Sequence, residues 1–292
     1  MLEGPHFERL VEYVTNNYYS RELPELKEEY QKLAGAIYDD DHGYENRMGL
    51  FLEWVIFDRL LPGKSITLLE GMMEEKQNSH ALQDTQDFRN FIDCVHGLFV
   101  LLKISKEKIV VRNMFDKNKY TVHGEQAHLM FTKNDIFQAR ILPIDGAYYF
   151  TGNFCYHPMP AASYIKNEVK KVIGMEEKYQ KELKILVKQM KPLMKAVEKT
   201  EKQINKLTAK LKKCKSSEKS EALQSKRAES GKVRQALEAE ATALQTQIDD
   251  CKLLKFKIGV RHLKTRLMHR LNYMNLKWER SRQIEIQDIY CN

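Results

Sequence analysis

From Ile165 onward, apolar residues recur at alternating steps of four and three. The series is Ile165, Val169, Val172, Glu176, Tyr179, Leu183, Leu186, Met190, Leu193, Val197, Thr200, Ile204, Leu207, Leu211 and Cys214. Thirteen of these fifteen positions are non-polar when cysteine is counted as a small hydrophobe. That is the pattern of a coiled-coil seam. Pro192 falls inside it; a mid-helix proline loses one backbone donor and costs about 3 kcal/mol, so the expectation is a kink rather than a helix end. The polar run Lys212–Ser220 predicts a reversal. Beyond it, Val233, Leu237, Leu244, Ile248, Cys251 and Leu254 continue a looser, alanine-rich heptad, and Phe256, Val260, Leu263, Leu267, Leu271, Met274 and Trp278 form a second stripe. A returning helix of about sixty residues pairs in length with an arm of about fifty, which at 1.5 Å per residue spans about 75 Å. An antiparallel hairpin explains why both segments carry a seam; a parallel dimer of the first segment alone is the alternative.

Upstream of the seam the texture changes twice. Residues 1–95 read as helices: Leu10, Val14, Tyr18, Leu26 and Tyr30 lie at helical intervals over Pro5–Ala36, with a break near Pro24. Leu50, Trp54, Phe57 and Leu61 share one face of a helix over Glu45–Leu61, which Pro62-Gly63 ends. Ser65 is placed to cap a short helix around Leu68–Met73, and Asp84–Cys94 is another candidate. From His96 to His157 the chain becomes short runs rich in Val, Ile, Phe and Tyr. The predicted strands are 98–104, 109–114, 119–122, 136–142 and 147–154. Asp145-Gly146 signals a tight hairpin, because both central residues of a type I′ turn need positive φ. The fold class is therefore α+β: an N-terminal helical module (1–95), a small antiparallel β barrel or sheet (96–160), a coiled-coil hairpin (161–280) and a C-terminal tail (281–292).

Charge sharpens these boundaries. The chain of 292 residues carries a net charge of +8, but residues 1–95 are at −10, 96–160 at +3 and 161–292 at +15. Residues 166–215 hold 16 Lys plus Arg against 6 acids, which invites a nucleic-acid reading. Most of these bases are lysines at coiled-coil exterior positions, aromatics are sparse, and no recognition motif accompanies them, so a solvated exterior is the stronger reading. Arg261, His262, Lys264, Arg266, His269 and Arg270 form a denser basic cluster, expected on the outer faces of the last helix. Arg261, Lys264, Arg266 and Arg270 could dock phosphate or a partner; docking on the acidic helical module is preferred, and an anionic membrane surface is not the expected partner.

Candidate chemistry is thin. Asp39-Asp40-Asp41-His42-Gly43-Tyr44-Glu45 offers oxygen ligands but fails the calcium-loop spacing, with Tyr44 where glycine is required, so it reads as an acidic turn capping the next helix. Cys155 and His157 share a strand face without forming a thiol–imidazole pair as a matter of course. His96, His123 and His128 also fall in or beside the β segment. The five cysteines show no C-x-x-C pair and read as reduced thiols. No nucleotide-binding or hydrolase motif is present, no window suits a bilayer-spanning helix, and the first residues lack a signal core, so a cytoplasmic protein is expected. Catalytic, cofactor and metal residues are expected to be absent.

One segment carries a resemblance. Phe51-Leu-Glu53-Trp54-Val-Ile-Phe57-Asp58-Arg59, followed by the β segments Ile109–Val122 and Asn134–Pro143, resembles an E-W-x-x-F-D core of a poorly characterised group of bacterial cytoplasmic proteins, some of which end in a cysteine-rich SEC-C zinc tail. That tail is lacking here, so the resemblance implies no zinc site, and it brings no known activity. From the residues themselves, Trp54, Phe57 and Leu61 are expected in the core, with Glu53 and Asp58 outside.

The expected function is a non-enzymatic interaction or scaffold protein. Its arm would bind a protein partner or a second copy through the seam residues Val172, Tyr179, Leu183, Leu186, Met190, Val197, Ile204, Leu207, Leu211, Leu237, Leu244 and Ile248. The alternatives are a nucleic-acid-associated protein using the basic arm and the β unit, and a metal-dependent hydrolase.

Overall fold

The computed structural model describes residues 5–17, 22–77, 88–124, 131–281 and 283–291. Tyr18, His128 and the Asp84 end of the last short helix expected from the sequence lie outside them. The chain divides into two compact units, one running to Ile173 and resuming at His262, the other spanning Gly174–Arg261.

The first unit begins with helices α1 (Pro5–Asn17), α2 (Leu23–Ala34), α3 (Tyr44–Glu53) and α4 (Leu68–Gln77). Pro24 opens α2 within its first two positions, where a missing N–H costs nothing. The cap of α4 is Thr67 and not Ser65. Glu70 Oε2 accepts from the Thr67 N–H at 2.7 Å and the Glu70 N–H reaches the Thr67 hydroxyl at 3.4 Å, a reciprocal box that needs an acid three residues on. At α3 the cap is Gly43, with no side-chain bond. The acidic turn before it does different work: Asp41 accepts from the Tyr38 N–H at 3.0 Å and from Arg280 Nε at 3.0 Å.

Strands β1 (Val95–Ile104), β2 (Lys108–Asn113), β3 (Lys119–His123), β4 (Ile136–Ile144) and β5 (Ala147–Phe150) close a five-stranded barrel in the order β1-β2-β3-β5-β4-β1. The β3–β5 pairing is parallel and the others are antiparallel. A register shift between Leu101 and Lys103 supplies curvature. Asp145 and Gly146 both take positive φ, at 49° and 77°, as the hairpin demands. The last expected strand is divided: Gly152, at φ 98°, follows β5, and β6 (Cys155–His157) then pairs with β4. Inside, Phe99, Leu101, Ile109, Val111, Val122, Phe137, Ile141 and Phe150 fill the barrel. Its two-sided cover comes from helices, as so small a sheet requires. Leu142 packs with the helical module around Leu10, Tyr30, Trp54 and Phe57. Leu98 and Ile136 pack with Ile165 and Val169 of α5 (Ala162–Lys213) and with Leu267 and Leu271 of α7 (Arg261–Arg280). A final turn, α8 (Ile286–Ile289), adds Ile289 and Tyr290 to that cluster.

The second unit is an antiparallel helical hairpin. Helix α5 is 52 residues long and unbroken through Pro192. The chain turns at residues 214–216 and returns as α6 (Ser217–Asp250) and a π-helical segment (Cys251–Val260), which leads into α7 of the first unit. Tyr179 meets Phe256 with ring centroids 6.5 Å apart, Glu182 pairs with Lys255, and Glu201 lies 3.9 Å from Arg234, which fixes the antiparallel register. Two seam expectations are corrected: Val233 and Leu254 are exposed, at 47% and 57%. The covered positions on the returning helix step through Arg234, Leu237, Ala241, Leu244, Ile248, Cys251, Lys255 and Ile258, so the α-helical phase puts Val233 and Leu254 one residue off the seam. The π segment reconciles this phase with the second stripe, because its wider turn makes the five-residue step from Cys251 to Phe256.

Both tryptophans, Trp54 and Trp278, belong to the first unit, so their fluorescence reports on that unit alone. Leu186→Asp is expected to lower the thermal midpoint of helical circular dichroism while leaving the tryptophan transition in place. A joint shift of both signals would show that the two units melt as one.

Candidate functional site

Glu53 and Asp58 are five residues apart, which on a regular α-helix would set them about 140° apart. The chain from Trp54 to Asp58 is instead a π turn, closed by Arg59 N–H donating to the Trp54 carbonyl at 2.8 Å. Both carboxylates consequently reach one buried guanidinium. Arg140, on β4, donates through Nε to Glu53 at 3.1 Å, through Nη2 to Asp58 at 2.6 Å and through Nη1 to the Cys94 sulfur at 3.3 Å, with its guanidinium carbon 4.4 Å from the centre of the Phe57 ring. Asn153 donates to the second oxygen of Glu53 at 2.8 Å, and His96 Nδ1 sits 3.0 Å from Asp58. The expectation that Glu53 and Asp58 face outward is overturned: the π turn breaks the α-helical period before Asp58, and Glu53, the last residue of α3, is buried against Arg140 and Asn153. Burial opposes the charge on Arg140, but Asp58, Cys94 and Glu53 outweigh it and raise its pKa. The carboxylates are thus engaged in a clamp between the helical module and the barrel.

Cys155, His157 and His269 are instead held neutral by burial. Burial pushes the Cys155 thiol up to about 12 and His157 down to about 3, so neither exchanges a proton near neutrality. His157 Nδ1 lies 3.2 Å from the Tyr290 hydroxyl. His269, expected among outward basic residues, is buried, with its ring 5.2 Å from Tyr30 and 6.1 Å from Trp54; burial holds its pKa at about 4. Among the described residues no group of three His, Cys, Asp or Glu is arranged to hold a metal.

The four basic residues singled out from the sequence are dispersed. Lys264 Nζ lies 5.5 Å from the Phe115 ring centre, and Arg270 pairs with Glu168 and covers Tyr164. Arg266 is exposed, and Arg261 lies at the junction of the π segment and α7. The ion pairs that do join α7 to the acidic module are Arg280–Asp41 and Glu279–Arg47, which residue density alone did not mark. Of the seam set, Val172 is buried in the first unit. Tyr179, Leu183, Leu186, Met190, Val197, Ile204, Leu207, Leu211, Leu237 and Leu244 are half-buried in the hairpin, and Ile248 is buried there.

Two open surfaces stand out among the described residues. On the hairpin, a groove of about 440 Å³ is lined by the apolar Val187, Met190, Met194 and Ile248 together with Gln245, Lys191, Lys195 and Lys252. On the barrel, the outward face of β2, β3 and β5 carries Lys108, Arg112 and Lys119, with the His123 and Tyr149 rings 5.7 Å apart. The signal for the groove was present in the sequence: Val187 and Met194 lie off the seam yet are apolar.

A family of unknown function, DUF7986, matches residues 8–191. The chain belongs to this family. No curated protein and no solved structure matches it. The span shared with DUF7986 takes in the Glu53–Asp58 turn, the barrel, Arg140 and the first half of α5, and so includes both sides of the clamp.

Arg140→Met would leave two carboxylates buried without their cation and is expected to cost about 3–5 kcal/mol in urea unfolding. Replacing Glu53 and Asp58 by leucine in the same variant is expected to recover most of that loss; no recovery would show that the clamp does more than balance charge. A pH series gives a second check. An ordinary histidine titrates near 6.5, whereas His269 is held at about 4. The unfolded chain therefore takes up this proton first, and the contribution is whole above 6.5 and lost as pH falls toward 4. The urea midpoint should fall over that window, and less steeply in His269→Gln.

Proposed function

We propose that this is a non-enzymatic, cytosolic interaction protein that engages a protein partner, or a second copy of itself, along its coiled-coil arm. The observation carrying this reading is the set of apolar side chains that the hairpin exposes outside its own seam. Ile185 is 58% exposed, Met194 53% and Leu254 57%, on a surface otherwise dominated by lysine. Apolar residues exposed singly are ordinary on a protein surface, but Met194 shares one groove with Val187 and Met190, and contiguous apolar surface marks a site of association. The cytosolic assignment is supported by five free cysteines and by the absence, among the described residues, of any helix long and apolar enough to cross a membrane. The Glu53–Asp58 turn with its Arg140 clamp is proposed as the structural counterpart of the E-W-x-x-F-D core, and any relation to SEC-C-tailed proteins stays at that level.

A second reading, nucleic-acid association, is favoured by the basic β2–β3–β5 face with its His123–Tyr149 ring pair, since phosphate contacts and stacking surfaces act together on single strands.

A photo-crosslinking amino acid at Leu254, and separately at Thr121 on the barrel face, distinguishes the two in cells. The arm position is expected to give discrete protein adducts. Adducts to nucleic acid at Thr121, with none to protein at Leu254, would replace the first reading by the second.

A further inference from the structure

We infer that the groove on the hairpin receives an amphipathic helix bearing acidic residues, contributed by a partner protein. This rests on the reading of the arm as an interaction device and names what the arm binds. Along α5, Val187, Met190 and Met194 follow steps of three and four, the spacing that presents one face of a helix to another. Ile248, only 4% exposed, gives the groove a floor on the returning helix, while Val187 (40%) and Met194 (53%) stand as uncovered walls. Two methionines make such a surface adaptable to a helix that is not part of the chain's own seam.

The lysines decide the partner's charge. Lys191, Lys195 and Lys252 line the groove beside these apolar residues, and Lys252 pairs with Asp249 at 3.5 Å in an exposed contact. An incoming helix with glutamates flanking its apolar stripe meets three ammonium groups as it seats, which favours encounter and fixes register. A second copy fits less well. Groove against groove would set lysine against lysine, and the acidic helix α2 has already committed Leu26, Tyr30 and Ala34 to its own core.

The probe is a fluorescein-labelled designed helix of about 18 residues, five turns, with leucines at alternating steps of three and four and glutamates on both flanks. Its twin carries lysines in place of the glutamates. Anisotropy titrations on the full chain are expected to show saturable binding of the acidic helix, at least about tenfold tighter than its twin, a difference of about 1.4 kcal/mol. Met194→Asp should weaken the acidic helix by at least about tenfold with arm helicity unchanged, and Lys191→Glu with Lys195→Glu should invert the preference. Equal binding of both peptides, no binding of either, or indifference to these substitutions overturns the inference. So does light scattering that shows a dimer dissolved by Met194→Asp, which would assign the groove to a second copy. If Leu254 still crosslinks to proteins while the acidic helix does not bind, only the choice of occupant fails; if Leu254 captures no protein, the arm reading itself fails.

Discussion

Arg140 is the point on which the first unit depends. A guanidinium taken out of water is tolerable only with its charge balanced and its donors filled, and here two carboxylates, a thiol and an aromatic face do both. The clamp joins four parts of the chain: Glu53 from the end of α3, Asp58 from the π turn that follows, Cys94 from the residue before β1, and Arg140 from β4. The clamp therefore specifies one docking of the helical module on the barrel. Hydrophobic burial around Trp54 and Phe57 supplies the affinity but, being non-directional, would tolerate neighbouring arrangements.

The two units solve the same burial problem with different geometry. The barrel turns its large aromatics inward, so that Phe137 contacts Phe99, Phe150 and Phe154, and hands its outer surface to helices on two sides. The hairpin has only a strip of apolar surface per helix to bury and does so along a seam whose residues remain half-buried, as a two-helix pair must. That difference bears on function. A surface already closed by packing has little left to offer a partner, whereas a two-stranded coil leaves grooves on both flanks of its seam, and one of these is lined by apolar residues and lysines.

The same π-helical device appears in both places where regular periodicity would have placed side chains badly. After α3 it aligns two acids on one cation, and after α6 it moves the apolar stripe from the Cys251 phase to the Phe256 phase. In each case one extra residue per turn rotates everything that follows, at the expense of poorer local hydrogen-bond geometry. Packing against a neighbour compensates: Arg140 in the first instance, Tyr179 in the second.

Periodicity by itself determined the long helices, their antiparallel return and most of the strands, because steps of three, four and two are properties of the backbone that local sequence writes directly. The hairpin turn was legible for the same reason: only residues tolerant of positive φ suit Asp145 and Gly146. Tertiary structure alone decided the inward turn of Glu53, Asp58 and His269 and the outward turn of Val233 and Leu254. It also decided that Arg270, Arg280 and Lys264 of α7 are spent on Glu168, Asp41 and the Phe115 ring. These outcomes hang on a change of helical pitch and on partners up to 239 residues away in sequence, neither of which leaves a trace in the local pattern of polar and apolar residues.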